Sequence, residues 1–432
     1  MKKLLLLLLP LMIVLTSCAR TSVPPPLPLL GDAAPYTFTG RSYAIADVID
    51  ARASQFSLLA IAYDGFAVQL HGDELNGVLL RYRNGWQLHA PQHPPSANIE
   101  NIAQLVIISQ SNNPYAVRLI DADGQVREIT AGQLFLQPQH RVLYKHGMNQ
   151  LNERSATVFT MQYHVSLSDM LAGESFAVMA RNGETLHFRG NAHLLSHLNQ
   201  VNLHLPDDRI LHDIVGIIAD APTMQITQLY HDAMHFIAQG QPVLAIKIDG
   251  LGWDMLEHAP FIQSLNPQRA LAVWPPITPA GLASMLTGET PDIHGIATRG
   301  QRNLLVDDIF THIPNSVHIG ARSSFINSSL PPQLTISDGD AFMLAQQALA
   351  DPVDFIFVHF KQVDSTAHYH GPHAEQTRQA IAEIDEFVRL LAAQFDGRII
   401  VTSDHGLHDT PNGGGNHGLF LPQDMLVPYA VR

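Results

Sequence analysis

Three apolar runs in the C-terminal half of the chain each lead to an acid or an imidazole. Val243-Leu244-Ala245-Ile246-Lys247-Ile248 ends at Asp249, Phe355-Ile356-Phe357-Val358-His359-Phe360 is followed by Asp364, and Ile399-Ile400-Val401-Thr402-Ser403 ends at Asp404-His405. Short continuous apolar runs fit strands buried on both faces, as in a parallel sheet whose crossovers are helices. In open α/β sheets, ligands bind beyond the carboxyl ends of the strands. Strands that carry metal-ligand side chains to one such edge point to an α/β fold and to a shared metal centre.

The intervening segments agree with that fold. After Gly371-Pro372, residues 373 to 395 place Ile381, Ile384, Val388 and Leu391 on one helical face, leading into the strand before Asp404. Thr278 precedes Pro279 and Ala280-Gly281-Leu282-Ala283-Ser284-Met285-Leu286, which predicts a helix with Thr278 as its N-cap and proline in its first turn. A phosphate at such a terminus meets free N–H groups and the positive end of the helix dipole. Asp364 and His368 stand four residues apart, one helical turn, and can face one ion. His417 lies in Gly413-Gly414-Gly415-Asn416-His417-Gly418, a loop able to bring an imidazole close to a site. Each element has an ordinary alternative: an Asp-Gly turn at Asp249, a plain cap at Thr278, a surface-loop histidine at His417.

The chain has 432 residues, 46% of them hydrophobic and 15% charged, which describes a globular protein of two or three domains. Its formal net charge of −14 argues against a nucleic-acid partner. A phosphate substrate is compatible with it, because bound metals supply local positive charge. Residues 1–17 read as a signal peptide, with Lys2 and Lys3 before an apolar core too short for a comfortable span. Leu15-Thr16-Ser17-Cys18 resembles a bacterial lipobox, which implies lipidation at Cys18 and an extracytoplasmic, membrane-anchored protein. Cys18 is the only cysteine, so the mature chain has no internal disulfide and no thiolate ligand. The rest of residues 18–35 is a proline-rich tether.

Residues 36–235 read as two related α+β or mostly β units. Ser42-Tyr43-Ala44-Ile45 and the following residues match Tyr163-His164-Val165-Ser166 in type, and hairpin signals recur at Asp64-Gly65 and Asn182-Gly183. The units close with Leu105-Val106-Ile107-Ile108 and Ile214-Val215-Gly216-Ile217-Ile218. The pattern resembles sulfite-oxidase-like pterin-binding modules, whose metal-binding members rely on a cysteine that these units lack. A binding or spacer role is therefore expected of them.

Residues 236–432, the expected catalytic domain, resemble the alkaline phosphatase superfamily in its type I phosphodiesterase/nucleotide pyrophosphatase branch. The resemblance is carried, in order, by Ile248-Asp249-Gly250, Ile277-Thr278-Pro279 with Leu286-Thr287-Gly288 and Pro291-Asp292-Ile293-His294-Gly295-Ile296, the stretch from Asp364 to Pro372, Thr402-Ser403-Asp404-His405-Gly406, and Asn416-His417-Gly418. It implies an alkaline-phosphatase-like domain with a mostly parallel sheet flanked by helices. It also implies two divalent ions, one held by Asp364, His368 and His417, the other by Asp249, Asp404 and His405 with Thr278 as a further ligand. Zinc suits such nitrogen and oxygen ligands, and manganese or iron also fits. By the same resemblance Thr278 is the nucleophile of a phosphodiesterase acting on a small phosphodiester, nucleotide or lipid headgroup. Arg299, Arg302 and Asn303 are candidates for holding a phosphate oxygen. The alternatives are a phosphomonoesterase or phosphonate hydrolase on the same scaffold, or an inactive binding lipoprotein.

Overall fold

The structure is a computed structural model that describes residues 23–34, 36–49, 55–109, 113–151, 153–320 and 325–432. Residues 1–17, expected to be a signal peptide, and Cys18 lie outside the described residues. Among the described residues no helix is long and apolar enough to cross a membrane. The chain divides into two compact units, one of residues 23–29 and 36–106, the other of residues 30–34 and 107–432.

The N-terminal part is strand-rich. One five-stranded sheet has the order Tyr36–Phe38, Leu27–Gly31, Ile102–Ser109, Phe56–Ala62, Ala67–His71. A second has the order Val126–Ile129, Val117–Ile120, Ile214–Ala219, Ser175–Ala180, Thr185–Arg189. Both sheets set an apolar closing strand between two hairpins. The Phe56–Ala62 and Ser175–Ala180 hairpins turn through Gly65 (φ 90°) and Gly183 (φ 98°), conformations that a side chain disfavours. The second sheet is followed in space by the C-terminal fold within the same unit. Ile120, Ala177, Met179, Val215 and Ile218 share one core with Leu271, Ala272, Phe420 and Met425. A Cβ added to Gly216 would lie 2.1 Å from the Phe420 ring, so the backbone and ring are in direct contact. The compact units divide at residue 106 rather than 235 because this apolar surface joins the second sheet to the C-terminal one.

The C-terminal sheet has seven strands in the order Gln268–Leu271, Leu426–Val431, Arg398–Thr402, Val243–Ile248, Phe355–Phe360, Ser316–Gly320, Gln333–Leu334. Val243–Ile248 pairs in parallel with both Phe355–Phe360 and Arg398–Thr402, while Leu426–Val431 runs antiparallel to its neighbours. The two central strands are buried throughout, as apolar runs in a doubly covered sheet must be. Side chains alternate between two cores. Leu244, Ile246, Ile356, Val358 and Val401 pack with Ile381, Ile384, Val388 and Leu391 of the helix Glu375–Gln394. Val243, Ala245, Phe355, Phe357 and Ile400 pack with Ala280, Ala283 and Leu286 of the helix Thr278–Thr287. This is the expected α/β architecture, and it leaves the carboxyl ends of three adjacent strands free to present side chains.

Candidate metal centre

Asp249 follows the end of Val243–Ile248, and Asp404 and His405 follow Arg398–Thr402. Asp364 and His368 lie on the helix Gln362–His370. The carboxylate of Asp338 accepts the N–H groups of Lys361 and Gln362, fixing the start of that helix and hence Asp364. The Asp364 N–H donates to the Asp249 carbonyl at 3.1 Å. Gly250 (φ 80°) makes that approach possible, since a Cβ there would lie 3.0 Å from Asp364 Cα. Gly281 serves the helix Thr278–Thr287 in the same way: a Cβ would lie 2.6 Å from Asp404 Cβ.

Two groups of ligand atoms converge within 4.8 Å: Asp364, His368 and His417, and beside them Asp249, Asp364 and His405. Asp364 therefore belongs to both groups, whereas Asp404, expected as a ligand beside Asp249 and His405, belongs to neither. Asp404 Oδ2 is 3.5 Å from His405 Nε2 and is paired with Lys247 Nζ at 2.8 Å. Asp249, Asp404 and His405 are fully buried, whereas the His368 side chain is 35% exposed, so one group is deep and the other is open to solvent. Thr278 Oγ1 lies 3.4 Å from Asp249 Oδ1 and 3.3 Å from His405 Nε2. The N-cap of its helix is Ile277, and Thr278 is the first helical residue. The Thr278 hydroxyl thus faces the ligands, and the helix end has no side-chain cap.

The chemistry of the donor set fits divalent metal. His368 Nδ1 pairs with the Gly415 carbonyl at 2.9 Å, His405 Nδ1 with the Gly406 carbonyl at 3.1 Å, and His417 Nδ1 with the Pro276 carbonyl at 2.8 Å. A carbonyl only accepts, so each Nδ1 carries a proton and each ring turns its Nε2 toward the carboxylates, the orientation a ligand histidine needs. Asp364 Oδ1 is buried without a directed hydrogen bond, with His368 Nε2 3.1 Å and His417 Nε2 3.7 Å away. Burial, with the neighbouring His405, pushes the His417 imidazole down to about 2, which keeps its Nε2 unprotonated. The contact with Asp364 raises His368.

Of the three phosphate-binding candidates, Arg299 reaches the ligands, its Nη2 3.1 Å from His417 Nε2. Arg302 Nη1 donates to the carbonyls of Arg299 and Gln301, and Asn303 Oδ1 accepts from Asn327. Two residues of the site went unread in the sequence. Lys247 and His359 stand inside the apolar runs, in register on neighbouring strands, and both contact Asp249 Oδ2, at 3.1 and 2.7 Å. A charged and a polar residue at inward positions of otherwise apolar strands were the available signal. Burial works against the Lys247 charge, but Asp249 and Asp404 more than offset it and the pKa is raised. Burial also pushes Asp249 up; the Lys247 charge and the His359 hydrogen bond outweigh it and hold the carboxyl well below its usual range.

The type I phosphodiesterase / nucleotide pyrophosphatase family model matches residues 243–303 and 318–426, which contain every ligand candidate and Thr278. Among curated proteins, GPI ethanolamine phosphate transferase 1 of Mus musculus is 30% identical over 83 residues, covering 17% of this chain and 8% of that protein. Among solved structures, murine ectonucleotide pyrophosphatase / phosphodiesterase 5 is 20% identical with a TM-score of 0.33, covering 40% of this chain and 59% of that one. An inactive form of the same murine protein in complex with AMP is 19% identical with a TM-score of 0.31, over the same 40% and 59%. The chain thus matches a small part of the curated relative and under two thirds of the structural ones.

Proposed function

We propose, from the match of residues 243–303 and 318–426 to the type I phosphodiesterase / nucleotide pyrophosphatase family model, that this protein hydrolyses phosphoric diesters outside the cytoplasm with Thr278 as its nucleophile. The observation that carries the reading is the position of Thr278 Oγ1, within 3.4 Å of Asp249 Oδ1 and His405 Nε2 at the start of a ten-residue helix. Asp364, His368 and His417 would hold one divalent ion, and Asp249, Asp404 and His405 the other, with zinc the best match to the ligand types. When bound, such a pair supplies Lewis-acid charge to the phosphoryl group and to the oxygens entering and leaving it.

The chain's own groups account for the rest. The helix N-terminus presents unpaired N–H groups to a phosphoryl oxygen, and Arg299 brings a guanidinium to the rim. Thr278 Oγ attacks phosphorus, its proton passes to solvent, and the ester oxygen opposite it leaves and takes up a proton. Water then attacks the phosphothreonine, releasing the phosphate monoester and restoring the hydroxyl. Nucleotides, glycerophosphodiesters and phospholipid headgroups all present such a diester. A lipid anchor at Cys18 would keep the enzyme at a membrane surface, and loss of detergent partitioning in Cys18→Ser would test it.

The test is turnover of bis-p-nitrophenyl phosphate beside p-nitrophenyl phosphate by zinc-loaded protein. Preference for the diester, abolished by Thr278→Ala, is the expected result. Preference for the monoester would move the assignment to a phosphomonoesterase on this scaffold. No turnover of either, with no metal retained, would leave a binding protein.

A further inference from the structure

The deep ligand group rests on an ammonium. Lys247 is fully buried, with Nζ 3.1 Å from Asp249 Oδ2, 2.8 Å from Asp404 Oδ2 and 2.9 Å from His359 Nε2. Strand register sets it opposite His359 on one side and Thr402 on the other. A polar row therefore crosses the sheet below the ligands, on a face otherwise filled by Val243, Ala245, Phe355, Phe357 and Ile400. A lysine removed from water persists only when paired. Asp249 divides its oxygens accordingly: Oδ2 meets Lys247 and His359, while Oδ1 meets Thr278 and His405. The more open ligand group is bordered instead by Arg299, an exposed side chain whose charge is screened by solvent.

We propose that Lys247, seated by His359, is the fixed counter-ion of the Asp249–Asp404–His405 group: it holds both carboxylates in place in the metal-free protein and weakens divalent-ion binding there. This rests on reading the two groups as metal sites. The physical argument has two parts. Two buried carboxylates without a cation repel each other and lack solvation, so the metal-free fold needs the ammonium. Once a divalent ion occupies the group, the same unscreened ammonium repels it across a few ångströms. Loading is therefore sequential, with the deep group filling last. Lys247 acts through the carboxylates and is a positioning residue.

Lys247→Met keeps the chain length and removes the charge. Melting temperatures of chelator-stripped and zinc-loaded protein, with calorimetric zinc titrations, give the readout. In the stripped form we expect a fall of about 10 °C; in the loaded form a much smaller one. The weaker zinc dissociation constant should tighten by roughly tenfold or more. Equal falls in both forms with unchanged zinc affinity mean a packing role and overturn the proposal. If stripped Lys247→Met does not fold, recovery on refolding in zinc supports it. If zinc does not rescue folding, the double variant Lys247→Met/Asp404→Asn decides. Removing one carboxylate with the ammonium should restore the stripped fold, and no restoration overturns the proposal. Should wild-type protein bind no zinc, the metal-site reading fails, and stripped stabilities of the three proteins still judge the counter-ion.

Discussion

Beyond the carboxyl ends of the C-terminal sheet's central strands, His368, His405 and His417 each tie Nδ1 to a backbone carbonyl and turn Nε2 toward buried carboxylates. In the strand-rich region of the same compact unit, His140, His164, His193 and His204 also gather, on adjacent strands. The His164 ring lies 4.6 Å from that of His204 and 5.8 Å from that of His193. There, however, His164 Nδ1 and His193 Nδ1 are buried without a hydrogen-bond partner, His164 Nε2 is bonded to Gln162, and the carboxylate of Asp169 is taken by His140. The chain has 24 histidines, so proximity of imidazoles alone says little. What separates the two places is a carbonyl on the far nitrogen, which fixes the tautomer, and a carboxylate on the near side, which attracts a cation. The first gathering offers a cation fixed imidazole nitrogens beside buried carboxylates; in the second, burial lowers His164, His193 and His204.

That contrast can be broken at several points. The largest effect expected is from Thr278→Ala, which should lower diesterase turnover by ~10³-fold or more while changing stability by no more than about 2 kcal/mol, measured by steady-state kinetics and urea unfolding. Asp249→Ala should come next. It removes a partner of Lys247 and His359 in a fully buried cluster, and metal-free protein should lose roughly 3–5 kcal/mol in urea unfolding. An intact stability would mean that Lys247 is satisfied elsewhere. His417→Ala should release zinc from the more open group, while His164→Leu should leave zinc content and turnover as in wild type; elemental analysis of dialysed protein distinguishes them. If both variants lose metal, the strand-region row is also a metal site and the comparison collapses.

The smallest effect concerns acid. Burial, with the charges of His204 and His193, lowers His164 to about 4. A base whose folded pKa lies below its unfolded value takes up protons first in the unfolded chain. Its contribution is complete above pH ~6.5 and declines as pH falls from there toward 4. Thermal melts across that window should show the decline in wild type and a shallower one in His164→Leu. Equal slopes would mean that His164 stays neutral in both states or is protonated at no penalty.

Much of this architecture was legible because the strongest signals coincide. The apolar runs before Asp249, Asp364 and Asp404 mark central strands, and the helix expected over residues 373–395 is Glu375–Gln394. The Asp364–His368 spacing falls on one helical turn, as four residues must. Other features were hidden for physical reasons. Lys247 and His359 were absorbed into their apolar runs, since periodicity reports the average character of a strand and not a polar pair formed across two of them. Asp404 turns one oxygen to Lys247, a contact with no local sequence mark. The division at residue 106 depends on Phe420 packing against Gly216, some two hundred residues apart, and pattern reading has no access to such contacts. The helix start at Thr278 differs by one position from the N-cap reading because the hydroxyl turns to the ligands instead of the backbone.

The central claim is that phosphorus passes through a covalent bond to Thr278, whose hydroxyl stands between Asp249 and His405. It is tested most directly by the stereochemical course at phosphorus, followed by ³¹P NMR on a diester made chiral with sulfur and hydrolysed in isotopically labelled water. Two successive in-line displacements, by Thr278 and then by water, predict net retention of configuration. Net inversion would mean a single attack by water, and would contradict the assignment of Thr278 as nucleophile.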